Sequence, residues 1–164
     1  MNSLSSDWQT FFSAELGALA TLTGLVVVAI SINLSRILAV ASLPSRAGES
    51  LVMLVGALVA VSAALVPNQP PILLGAELSL IGFVTFIAPA TNQIRLWNLL
   101  EGVTSGKQFV RLAITSIASL PFVAAGGYLV FGVGGAFYWV ALGVIVSLVA
   151  GVWNSWILLV EILR

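Results

Sequence analysis

The groups best placed to do chemistry are two carboxylates that sit inside apolar runs. Glu77 lies six residues beyond Pro71, about 9 Å of helix rise into one run, and Glu15 sits just inside the start of another. Ionisable groups at such depth are the default functional candidates in a bilayer. Hydrocarbon solvates charge poorly, so a carboxylate there must take up a proton, find hydrogen-bond donors or hold a cation. Thr10, Ser13, Asn68, Gln69 and Ser79 are plausible neighbours. Glu15 and Glu77 therefore make a candidate intramembrane acidic site. The plainer expectation is that both reach back to the interface and only fix the depth of their helices. On an ideal helix Glu77 also points away from the Gly75, Ser79, Gly82 side, which weakens any continuous polar path.

The remaining charged residues read as local ion pairs. Glu49 follows Arg46 by three residues, a spacing that suits an interfacial pair orienting a loop. Glu161 with Arg164, and Glu101 with Lys107, read the same way. Catalytic equipment is sparse. With no Cys and no His, the chain offers no thiolate nucleophile, iron–sulfur ligand, covalent haem attachment or His-ligated metal. Asp7 is the single aspartate and Lys107 the single lysine, and no G-x-S-x-G elbow, phosphate loop or dinucleotide glycine pattern occurs. The expectation is a protein that is not an enzyme and carries neither cofactor nor metal. A net charge of zero argues against nucleic acid as a partner.

Hydrophobic residues make up 60% of the 164 and charged ones only 7%, with a mean hydropathy of +1.13. Soluble domains carry about 25% charged residues, so most of this surface must face lipid. The sequence predicts one all-α integral membrane helical bundle with five transmembrane helices, at about 13–35, 48–66, 72–90, 109–131 and 137–163. A short interfacial segment, 1–12, precedes them; Ser6 and Gln9 have capping-box spacing, and Trp8, Phe11 and Phe12 suit the interface. That segment lacks the positive charge of a secretory signal and is expected to be retained. Pro44 marks the first loop as a breaker, Pro67, Pro70 and Pro71 make a tight turn, and Pro89 is expected to kink or end the third span.

Five crossings place Arg36 and Arg46, then Arg95, Lys107 and Arg111, then Arg164 on one side of the membrane. The positive-inside rule makes that side the cytoplasm and puts the N-terminus outside, as expected in a bacterial cytoplasmic (inner) membrane. Glu15 and Glu77 then lie in the half of the membrane that has no basic residue.

Small and hydroxyl residues form stripes on these spans. Gly17, Thr21, Gly24, Val28, Ser31 and Ser35 follow at steps of three and four along span one, so that span is expected to be the centrepiece on which the others pack. Similar stripes run through Glu49, Met53, Gly56, Ala60 and Ala64; through Thr115, Ser119 and Gly126; and through Gly143, Ser147, Gly151 and Ser155. They serve either to build the bundle or to join copies of it.

The run GALATLTGLVVVAISINLSRIL and the Pro-x-Arg-Ala-x-Glu pattern of Pro44, Arg46, Ala47 and Glu49 resemble a group of small uncharacterised bacterial multi-span membrane proteins. Members are sometimes labelled modulators of the FtsH protease. The resemblance covers about the first third of the chain and implies placement in a bacterial inner membrane. Two functions remain open on the sequence: a non-enzymatic protein acting by helix association, as a homo-oligomer or an accessory subunit of a larger membrane complex; or a channel or carrier for protons, cations or a small solute using Glu15 and Glu77.

Overall fold

A computed structural model describes residues 5–40, 43–99 and 105–162 of the chain. They form six helices: α1 (Ser6–Ile32), α2 (Leu34–Ala39), α3 (Leu43–Ala64), α4 (Pro71–Leu99), α5 (Ser105–Val130) and α6 (Ala136–Ile162). All except the short α2 are long and apolar enough to cross a membrane. The protein is an all-α bundle of five membrane-spanning helices. Glu101, expected to pair with Lys107, and Arg164, expected to pair with Glu161, lie outside the described residues.

Local chemistry sets the helix ends. Asn33 separates α1 from α2 by donating its side-chain amide to the Ala29 carbonyl at 2.9 Å, in competition with the backbone. Pro44 was expected to break the chain; it instead occupies the first turn of α3, where its missing N–H is not needed. The connection is therefore largely helical. The N-terminal segment is not a separate element either, since α1 runs unbroken from Ser6. Its cap position falls on Ser5, whose side chain makes no capping bond, so the expected box at Ser6 and Gln9 does not form. Pro89 does not end the third span, and α4 continues through it to Leu99. At the other end of the bundle α5 stops at a left-handed Gly132 (φ 67°), with the Val133 N–H returning to the Tyr128 carbonyl at 2.8 Å.

The centre of the bundle is α3, which corrects the expectation for span one. In its most apolar stretch 56% of α3 is buried inside the protein, against 11% for α1. Phe12, Leu19 and Val26 recur every seventh residue and form the one line that α1 buries, with α3 as its main neighbour. At about 100° per residue, Gly17, Thr21, Gly24, Val28 and Ser31 fall on the opposite side of the helix, and all are exposed. Bulky side chains win the inner face because each makes many more dispersion contacts than a glycine can. The inner side of α3 is lined by Ala57, Ala60 and Ala64, which let neighbours approach.

Helices α4 and α5 meet most closely. A methyl added at Gly75 would lie 2.8 Å from the Gly126 carbonyl oxygen, and one at Gly82 would lie 2.9 Å from the Val123 nitrogen. The same contacts show that the two helices run antiparallel. Gly143 lies against the Phe122 ring, Gly151 against Leu54, and Ser147 is fully enclosed. One end of the bundle holds the start of α1 with the α3–α4 and α5–α6 turns. There Trp8 stacks on Phe12 at 5.4 Å and meets Tyr138 edge-on at 4.9 Å, joining the first helix to the last. The opposite end holds Arg36, Arg46 and Arg111.

Candidate functional site

Polar side chains inside this bundle concentrate at the arginine end. Glu49, on the first turns of α3, is only 4% exposed. Its Oε1 accepts a bond from Arg111 Nη2 of α5 at 2.6 Å and a longer one from Ser45 Oγ at 3.3 Å. Further inward, Thr115 Oγ1 donates to the Arg111 carbonyl at 3.0 Å and accepts from Gln93 Nε2 of α4 at 3.3 Å. One connected set of polar groups thus ties α3, α4 and α5 together. Beside it, Asn154 of α6 directs its amide at the Met53 sulfur, 4.0 Å away.

Glu49 is buried at the head of α3. The sequence pairs it with Arg46, three residues before it; a partner that spacing along the chain does not offer is Arg111, 62 positions away and already two residues inside the apolar stretch of α5. A signal for this was present. Glu49 heads the same stripe as Met53, Gly56, Ala60 and Ala64, which faces the interior, and Arg111 precedes Thr115 and Ser119 by one and two turns. An arginine suits the task because its rigid fork holds carboxylates in a dry setting better than a lysine would.

The two glutamates singled out in the sequence occupy the other end. Gln69, in the α3–α4 turn, donates to Glu77 Oε2 at 2.6 Å, and Asn68 beside it takes a left-handed backbone (φ 56°). Glu15 is half-buried, and its Oε2 is enclosed with no hydrogen-bond partner among the described residues. Helix α1 packs on α3 and α6, whereas α4 packs on α3 and α5, and no described hydrogen bond links the two carboxylates. Of the neighbours expected for them, Thr10 and Ser79 return their hydroxyls to their own helix backbones.

Between the two ends the interior is filled by Leu54, Ala57, Ala60, Val61, Leu78, Phe122, Val140 and Val144. Compared with known proteins, the chain matches no family model, no curated protein and no solved structure.

Proposed function

We propose that this is a non-enzymatic membrane protein that acts by helix association, as a homo-oligomer or as an accessory subunit of a larger membrane complex, with α1 as its docking helix. The observation that carries this reading is the outward face of α1. Gly17 and Gly24 are exposed, and a methyl built on either would meet nothing within 4 Å. Thr21 and Ser31 on the same face bond the Gly17 and Val27 carbonyls at 2.8 Å, so their polarity is satisfied without a partner. A smooth face of small residues is what lets a second backbone come close in lipid, where apolar area alone gives little drive. The arginine end belongs in this reading on the cytoplasmic side of a bacterial inner membrane, with the N-terminus outside. Conduction through Glu15 and Glu77 has less support, because among the described residues the interior between the two ends is packed mainly by apolar side chains.

The chain lacks cysteine, so a single Thr21→Cys variant tests the proposal in native membranes. Oxidative crosslinking at that position is expected to give either a dimer of the chain or one defined heavier adduct. Gly17→Leu and Gly24→Leu should abolish the adduct while leaving helix content and unfolding unchanged. Absence of any adduct, or an adduct that survives both leucines, would overturn the reading.

A further inference from the structure

The seam between α4 and α5 encloses two polar side chains whose hydrogen bonding is incomplete. Gln93 is 3% exposed and Ser119 1%, and neither Gln93 Oε1 nor Ser119 Oγ has a hydrogen-bond partner among the described residues. Ser119 is unusual for this bundle. Ser79, Thr115 and Ser116 return their hydroxyls to the carbonyl four residues back, and the buried Ser119 does not. A third polar group belongs to the same stretch. Pro89 is fully buried and has no N–H to give the Thr85 carbonyl, the acceptor four residues before it. Gly82, Phe86, Pro89 and Gln93 follow at steps of four, three and four along one side of α4. At Gly82 that side meets α5 beside the Ser119 carbonyl, and at Gln93 it meets Thr115, one turn from Ser119.

We infer that one water molecule is bound at this point of the seam. It accepts from the Ser119 hydroxyl and donates to Gln93 Oε1 and to the Thr85 carbonyl, about three bonds, as is usual for a buried water. In a membrane span a proline is tolerated where another donor serves the carbonyl it leaves, and an ordered water is one such donor. A metal cation fits less well. All three groups are neutral, one is an O–H with a proton to give, and hard cations such as Mg²⁺ and Ca²⁺ take about six oxygens or more. This seam takes no part in the α1 proposal, which concerns the outer face of another helix.

The test uses the full chain in lipid nanodiscs. Pulsed X-ray radiolysis makes hydroxyl radicals where water sits, and mass spectrometry locates the oxidised side chains. Phe86 lies on the seam and is half-buried, whereas Phe83, one turn away on the outer surface of α4, is 53% exposed. Oxidation is expected at Phe86 and not at Phe83, and Ser119→Ala should remove it. In SDS unfolding Ser119→Ala should also raise the unfolding constant about fivefold, the worth of one hydrogen bond. A buried hydroxyl with no partner would instead be removed at no cost. The label on the parent protein decides the matter should Ser119→Ala not fold. No label at Phe86, a label that persists in Ser119→Ala, or an unfolding constant that stays put or falls in that variant overturns the inference. So does a thermal midpoint in dodecyl maltoside that moves when sodium chloride replaces choline chloride, which would assign the site to a cation.

Discussion

Replacing Arg111 with methionine removes the guanidinium while keeping an unbranched apolar stem, and so strands the Glu49 carboxylate. The charges in this pair are separated by about 4 Å centre to centre, which at an effective dielectric constant of about 20 corresponds to roughly 4 kcal/mol of attraction. With Glu49 4% exposed, little of that can be recovered from solvent. Breaking such a pair by removing one partner costs about 3–5 kcal/mol, most of it the penalty on the carboxylate left behind. Replacing both partners removes that penalty, so Glu49→Gln with Arg111→Met should return to within about 1 kcal/mol of the parent protein. Unfolding by SDS in mixed micelles, followed by far-UV circular dichroism, reads all three proteins. Arg46 lies one turn before Glu49 on the same helix, so the series is repeated with Arg46→Gln to stop it taking over the carboxylate. Should Arg111→Met unfold within about 1 kcal/mol of the parent in both backgrounds, or should the double variant be no better than the single, Glu49 is not held as described here.

Two further predictions use the same titration. Gly126→Ala drives a methyl against the Ser79 hydroxyl and the Gly75 carbonyl oxygen, with the Ser79 backbone nitrogen 2.9 Å away, so a loss of about 1–3 kcal/mol is expected. Gly127→Ala, one residue on and facing open space, should be neutral or gain up to about 1 kcal/mol from helix propensity; equal behaviour of the two variants would contradict the close α4–α5 approach. Gln69→Ala removes the donor to Glu77, and the net loss expected for one such bond is about 0.5–1.5 kcal/mol. An unfolding midpoint that does not move in Gln69→Ala would mean that this bond does not hold the α3–α4 turn.

Hydropathy carried the number of crossings well, because runs such as that of α6 are too long and too free of charge to be anything but membrane helices. It carried far less about how the helices face one another. Span one is apolar on every side, so its composition could not say whether Gly17 and Gly24 or Phe12, Leu19 and Val26 would be buried. Small residues mark where backbones can come close, but they do not say whether the close neighbour belongs to the same chain. On α4 and α5 it does, and on α1 the face is left open. The arginine end was hidden for a different reason. Spacing along the chain favours near partners such as Arg46, whereas the bond from Arg111 to Glu49 exists only once α3 and α5 have been brought side by side. Gln69 was legible as a neighbour of Glu77 because the proline turn fixes both within a few residues.

The clasp between Trp8, Phe12, Phe137 and Tyr138 has a consequence for biogenesis. Helix α1 finds part of its lining on α6, which is synthesised only after α3 has begun to cover it from the other side. Until α6 leaves the insertion machinery, the aromatic tip of α1 lacks part of its cover, and the hairpins between them must assemble while it waits at the side. Emergence of α6 and closure of this end of the bundle therefore coincide, and a chain cut short before Phe137 leaves α1 unlatched.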